Sequence, residues 1–335
     1  MAKIAFFELE GWERDYLKRK LRGHELVFIE GALGEGNASK AADADAVSVF
    51  IYSKIRRKEL QAMPKAKLIA TRSTGYDHVN LQDCKSSGAA VCNVPEYGSE
   101  TVAEHAIALM MCLSKKIVPS VEKTRRGDFS LEGLRTFDLA GKRLGIVGLG
   151  RIGQHAAKMA RSFGMKIIAH DPHCDEATAK KCRAKLVSFD ELLSKSDVIS
   201  LHAPLNKETR HMINSESIAK MKDGAMLVNT ARGGLVDAKA LIAGLDSGKI
   251  AAAGLDVLEE ECGIKEERQL LSPEFSGECD LKTVLANHVL LNKQNVIVTP
   301  HNAFNSVEAL RRILDTTAEN LSAFFEGNAQ NLVSK

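Results

Sequence analysis

No Cys-x-x-Cys pair occurs in the 335 residues, and the seven cysteines, at 84, 92, 112, 174, 182, 262 and 279, are odd in number and scattered. That excludes a disulfide framework and favours reduced thiols in a cytoplasmic protein. Neither sign of charge dominates: 46 basic against 43 acidic residues leave +3, no footprint for nucleic acid or an acidic membrane. No apolar run approaches the roughly 20 residues of a membrane helix. Met1–Glu10 begins directly on a strand pattern, with no cleavable targeting segment expected. Internal repeats and low-complexity tracts are missing as well. His170, His173 and Cys174 are close in sequence, but no second ligand pair matches them, so no metal is expected. What remains is a chain long enough for two domains, each with its own core.

The strongest pattern lies in residues 143–171. Arg143–Val147 reads as a buried parallel strand, and Gly148-Leu-Gly150-Arg-Ile-Gly153 as a tight turn opening a helix. Ala156, Met159, Ala160 and Phe163 then recur at helical spacing, and Lys166–His170 is a second strand ending at Asp171. A glycine triplet between strand and helix, with an acid 18 residues beyond its last glycine, fits a dinucleotide site. Gly148 allows the turn, Gly150 lets backbone amides approach a pyrophosphate, and Gly153 lets helix and strand pack closely. The helix N-terminus adds unpaired N–H donors and a positive dipole end. Asp171 suits the two hydroxyls of an adenosine ribose and repels a 2′-phosphate. Pro172, His173 and Cys174 follow it without an arginine, so NAD is expected rather than NADP.

Before this stretch, residues 1–98 alternate short apolar runs with polar helical ones. Ile4–Phe7, Leu26–Ile29, Ala46–Phe50, Leu68–Thr71 and Ala89–Cys92 are strand candidates in a βα repeat. Arg72-Ser-Thr-Gly-Tyr-Asp77 follows the fourth, at the end of an α/β strand where ligands bind. There the amides of Thr74 and Gly75 suit a carboxylate, although an ordinary turn explains the loop equally well. Val94–Ser99 is a breaker-rich crossing, and Thr101-Val-Ala-Glu104 matches a capping box for a helix to about Lys116. Arg125–Phe137 reads as an irregular, exposed arm suited to a partner subunit. Later strands, Val198–Leu201, Ala225–Val228, Ala251–Leu255 and Val296–Val298, each end in polar residues. Residues 259–292 break the rhythm, and a final helix over about Ser306–Glu326 returns to the first domain. The expected fold is α/β: two doubly wound parallel-sheet domains, a flavodoxin-like one of residues 1–98 plus 301–335 and a Rossmann one of residues 99–300.

Hydride chemistry at a C–OH/C=O centre needs a proton donor near neutrality, a cation for the carbonyl or carboxylate, and a group that orients the donor. His, Arg and Glu suit these tasks. Arg232, Glu261 and His301 each follow a strand of the second domain. Singly, each has a plain structural explanation: a surface ion pair, one of three solvated acids, a residue after a proline.

Taken together, the motifs resemble the D-isomer-specific 2-hydroxyacid dehydrogenase family, and within it the D-lactate branch. They are Gly148–Gly153 with Asp171, Asn229-Thr-Ala-Arg232-Gly-Gly-Leu-Val-Asp237, Gly254-Leu-Asp256-Val, and Thr299-Pro-His301-Asn-Ala-Phe304. The resemblance implies that His301 is the acid/base, Arg232 the substrate clamp, and Glu261, 29 residues after Arg232, the partner of His301. It implies Arg151 and Ile152 along the pyrophosphate, and Ala203, Pro204 and Thr209 bordering the cofactor. Thr230, Ala231 and Asp256 would approach the nicotinamide. Thr74 and Gly75 would bind the substrate carboxylate, Tyr97 would contact substrate, and Phe304 would close the pocket. The implied reaction is NAD-dependent interconversion of a small 2-oxoacid, pyruvate first, with the (R)-2-hydroxyacid, in a homodimer built through the second domain. Hydroxyisocaproate, phenyllactate or glycerate as substrate, or a non-catalytic NAD(H)-sensing protein, are the alternatives. Arg151 in place of a His common in the lactate branch, and Gly98-Ser99 in place of Ser-Pro, are the departures.

Overall fold

The computed structural model describes residues 1–259 and 280–333. These form two compact units, residues 1–98 with 305 onward, and residues 99–304. The return to the first unit therefore follows Phe304, and His301 belongs to the second.

In the first unit, β1 (Lys3–Phe6), β2 (Glu25–Phe28), β3 (Ala46–Val49), β4 (Leu68–Thr71) and β5 (Ala90–Cys92) make one parallel sheet. Its order is β2-β1-β3-β4-β5, the flavodoxin-like arrangement. Every residue of β3 and β4 is buried, because helices cover both faces of a parallel sheet. The helix Val307–Phe325, capped by Ser306 Oγ on Ala309 N at 3.1 Å, closes one face. Its Leu314, Ala318 and Leu321 pack with Ile4, Phe6, Leu17 and Leu68.

The second unit holds β6 (Arg143–Val147), β7 (Lys166–His170), β8 (Ala184–Leu186), β9 (Val198–Leu201), β10 (Ala225–Asn229), β11 (Ile250–Leu255) and β12 (Val296–Val298). They pair in parallel as β8-β7-β6-β9-β10-β11-β12. The first six positions are the Rossmann order, and β12 extends the edge. One core layer lies under the helices Ser99–Ser114 and Arg151–Ser162, with Ala106, Met110, Ala156 and Ala160 against Leu144 and Ile146. The other lies under Phe189–Lys195, Ser215–Lys220 and Ala238–Asp246.

Several local expectations shift. The helix expected to open at Thr101 begins at Ser99, so the Thr101/Glu104 pair lies inside it rather than at its cap. Lys116 at φ +49° breaks it, and a second helix, Ile117–Arg125, follows. Phe163, the last residue of the expected helical spacing, is the C-terminal cap of Arg151–Ser162 and is 41% exposed, and Ala156, Ala157 and Ala160 form the buried face. After Arg126 the chain is irregular through Phe137 and exposed apart from half-buried Leu134. Lysines tie it back to its own unit: Lys123 Nζ donates to Ser130 Oγ at 2.9 Å, and Lys116 Nζ to Gly133 O at 2.6 Å. Among the described residues, no helix is long and apolar enough to cross a membrane.

Candidate active site

Because all seven strands of the second unit are parallel, the segments after β6, β7, β9, β10, β11 and β12 leave the same edge of the sheet. Backbone bonds stitch them together there. Gly148 N donates to His170 O at 2.9 Å, His202 N to Val147 O at 2.7 Å, Asp256 N to Asn229 O at 2.9 Å, and Thr299 N to Leu255 O at 2.9 Å.

At the reversal of strand order, between β6 and β9, sits the glycine turn. Gly148 has φ +90°, and a Cβ there would stand 2.8 Å from Ala203 N and His202 O. A Cβ on Gly153 would stand 2.1 Å from Gly148 O, so helix and strand approach at a distance only glycine permits. Gly150, the residue before the helix, has open space where its Cβ would be; no protein atom demands glycine there. The leading amides of Arg151–Ser162 have no intrahelical acceptor. Asp171 ends β7 and takes Leu149 N on Oδ2 and His173 N on Oδ1, both at 2.8 Å.

Around this turn, Arg151 is exposed, Ile152 is half-buried, and Ala203 is 9% exposed. Thr209 Oγ1 donates to Pro204 O at 2.6 Å and accepts from Asn206 N at 2.8 Å, which folds the loop after β9. Thr230 is buried, and its Oγ1 has no partner among the described residues, whereas half-buried Ala231 donates its amide to Asn229 Oδ1 at 3.1 Å.

Arg232 follows β10 directly. Its Nη1 donates to Ala231 O at 2.8 Å, and its carbonyl accepts from Asn229 Nδ2 at 2.9 Å. His301 follows β12, half-buried, at φ +51°, with its amide 2.9 Å from both Asp256 O and Thr299 O. Asp256 is 1% exposed, and its carboxylate serves the His301 turn: Oδ1 accepts from Thr299 Oγ1 and, at 3.0 Å, from Asn302 N, and Oδ2 from Ala303 N at 2.9 Å. Phe304, half-buried, ends the unit. Glu261 lies outside the described residues. Glu259 is described and is engaged elsewhere: its carboxylate meets His211 Nε2 at 2.8 Å and Arg210 Nη2 at 2.8 Å.

In the first unit, Thr74 and Gly75 follow β4 at the sheet's C-terminal edge. Neither amide donates to another described residue, while Thr74 Oγ1 donates to Val94 O at 2.8 Å and Asn93 Nδ2 to Thr74 O at 2.8 Å. The loop is held open-handed, its side chains spent and its two amides available. Beneath it lies Arg72, 2% exposed, which sequence reasoning passed over. Its Nη2 donates to Phe7 O and Glu8 O at 2.7 Å and its Nη1 to Ser48 Oγ at 3.1 Å. Burial brings its pKa down to about 10, against the attraction of Glu13 and Glu8. Tyr97 is half-buried, and its carbonyl accepts from Arg312 Nε.

Residues 107–303 match the family model described as D-isomer specific 2-hydroxyacid dehydrogenase, NAD binding domain. The 2-hydroxyacid dehydrogenase A of Aspergillus oryzae is 39% identical, covering 96% of this chain and 92% of its own. The chain belongs to the D-isomer-specific 2-hydroxyacid dehydrogenase family. Among solved structures it is similar to one described as the pyruvate reductase of Chlamydomonas reinhardtii, with TM-score 0.88 and 35% identity over 98% of this chain and 97% of that one. It is also similar to D-lactate dehydrogenase from Aquifex aeolicus complexed with NAD and lactic acid, with TM-score 0.85 and 35% identity over 99% of each chain.

This 2-hydroxyacid dehydrogenase is an enzyme with NAD as its cofactor. The second unit fits that cofactor on its own geometry. Gly148 and Gly153 make a turn too tight for any side chain, the helix behind it begins with amides that have no acceptor within the helix, and the buried Thr230 hydroxyl at the same sheet edge has no partner among the described residues.

Proposed function

We propose that this dehydrogenase reduces pyruvate to (R)-lactate, and runs the reverse, with His301 and Arg232 at the substrate. The observation that carries the reading is the convergence at one sheet edge of the glycine turn, the Arg232 segment and the His301 turn. When bound, NADH supplies the hydride that reduces the carbonyl carbon. His301 gives a proton to the carbonyl oxygen as charge develops there, and takes it back in the oxidative direction. Arg232 presents a fork that stays charged and matches the two oxygens of a carboxylate. Thr74 and Gly75 offer two adjacent amides to a carboxylate, Tyr97 contacts the substrate, and Phe304 limits its side chain. Glu261 is the partner of His301, a role that the engagement of Glu259 with His211 and Arg210 leaves to another acid.

Asp171 takes the adenosine ribose hydroxyls, Gly150, Arg151 and Ile152 lie along the pyrophosphate, and Ala203, Pro204 and Thr209 border the dinucleotide. Thr230 and Ala231 face its nicotinamide end, with Asp256 beneath. The enzyme works as a cytoplasmic homodimer through the second unit. Phe129, 79% exposed, and Leu131, 84% exposed, on the irregular arm support that assembly, and the free thiols among the described residues support the location.

The test is a panel of 2-oxoacids with NADH: pyruvate, 4-methyl-2-oxopentanoate, phenylpyruvate and hydroxypyruvate. Pyruvate should give the highest kcat/KM. A higher value for any of the others moves the substrate assignment to that acid, and no turnover of any would return the chain to NAD(H) sensing.

A further inference from the structure

His105 stands in the helix Ser99–Ser114, far in sequence from the motifs that mark the site. Its Nε2 lies 3.0 Å from Thr299 Oγ1 and 3.4 Å from Asp256 Oδ1, with the imidazole 23% exposed and Asp256 1%. Hydrogen counting fixes the direction of this contact. The Thr299 hydroxyl has one hydrogen, and it is given to Asp256 Oδ1. Towards His105, Thr299 Oγ1 can only accept, so the imidazole must carry hydrogen on Nε2 and donate it. The chain of donation runs from His105 through Thr299 to Asp256.

Asp256 in turn holds the segment that carries His301. Its carboxylate takes the amides of Asn302 and Ala303, and its carbonyl takes the amide of His301 itself. His301 needs that support, because φ +51° is a left-handed backbone that a side-chain-bearing residue adopts only at a cost. Such a backbone persists only where its neighbours over-determine it. Thr299, two residues ahead of His301, is the link between the helix and this buried carboxylate.

We propose that His105 is a positioning residue for His301. By donating to Thr299 it anchors the first corner of the turn to a rigid helix, which fixes the place of the imidazole that exchanges the proton. The inference rests on the reading of His301 as the acid/base. It predicts a loss in the chemical step rather than in binding, since His105 touches neither the glycine turn nor Arg232 among its described contacts.

The experiment measures kcat and KM for pyruvate reduction, NADH affinity by fluorescence, and Tm, for His105→Leu, His105→Gln, Thr299→Val, the double variant His105→Leu/Thr299→Val, and His301→Ala. His105→Leu should lower kcat about 10- to 100-fold, the scale of a displaced catalytic group, with KM and NADH affinity nearly unchanged. His105→Gln, whose amide can donate from the same place, should restore most of it. On the Thr299→Val background, His105→Leu should cost little more, because both remove the same link. Parental kcat in His105→Leu, no recovery in His105→Gln, or full multiplication of the two losses in the double variant would each overturn the proposal. If His105→Leu does not fold, His105→Gln near parental kcat with Thr299→Val slowed at unchanged KM supports it, and an unslowed Thr299→Val overturns it. Near-parental kcat in His301→Ala sinks the underlying reading instead, whatever the His105 variants do.

Discussion

The amide of Leu149 donates to Asp171 Oδ2 at 2.8 Å, so the middle of the glycine turn is tied to the end of the neighbouring strand. The other oxygen accepts from His173 N at 2.8 Å. One carboxylate thus sets the shape of the turn after β6 and of the segment after β7. An ionised carboxylate has more acceptor positions than these two amides use.

Asp171 should therefore set cofactor choice and local order together. The parent should prefer NADH strongly over NADPH. Asp171→Ala should narrow that preference, because it removes the charge that repels a 2′-phosphate and the acceptors for the ribose. It also leaves two amides without their acceptor, so Tm should fall. Ratios of kcat/KM for the two cofactors, with a melting curve, check both. Equal use of both cofactors by the parent would contradict the assignment.

Arg72 should be a structural keystone of the first unit. One residue before the Ser73–Gly75 turn, it donates to the carbonyls of Phe7 and Glu8 at 2.7 Å and to Ser48 Oγ. Arg72→Ala should cost about 3–5 kcal/mol, because it strips the donors from two carbonyls and a hydroxyl and leaves a cavity where a fully buried side chain stood. Arg72→Lys keeps the charge and loses the fork, so it should recover only part. Denaturant unfolding measures both, and a loss below about 1 kcal/mol for Arg72→Ala would contradict the role.

His202 should make stability depend on pH below neutrality. Burial lowers its pKa from 6.5 to about 4. The unfolded chain therefore takes up a proton at a pH where the folded chain refuses it. The stabilisation is complete above 6.5 and is lost as pH falls from 6.5 towards 4. Among the described residues, the ring bonds Ser200 Oγ through Nε2 at 2.9 Å, and Nδ1 has no partner. Tm measured from pH 7 down to pH 4 should fall, and His202→Gln should flatten part of that slope. An identical slope in both proteins would exclude His202 as its source.

Elements with strong local signals were legible in the sequence. β4 and β6 stand where buried apolar runs meet breakers, and the glycine turn declares itself through spacing. β8 was not legible, since Ala184–Leu186 is three residues with an exposed Lys185 at its centre, and its pairing with β7 alone makes it a strand. The Thr101/Glu104 pair matched a cap, yet the same spacing occurs wherever a helix continues, and Ser99 and Glu100 continue it. Arg232 and His301 do stand just past strands, where their positions in the sequence put them. Arg72 was not legible, because a charged residue in a loop reads as exposed until tertiary contacts bury it. Nor was His105, whose partners are 151 and 194 residues away, in Asp256 and Thr299.

Whether His301 exchanges the proton during hydride transfer is decided by kcat for pyruvate reduction by His301→Ala, with NADH binding followed by fluorescence on the same protein. The expected result is a kcat lower by about 10²–10⁴-fold, the range for losing a general acid, with NADH affinity nearly unchanged. Near-parental kcat with intact NADH binding would contradict the account.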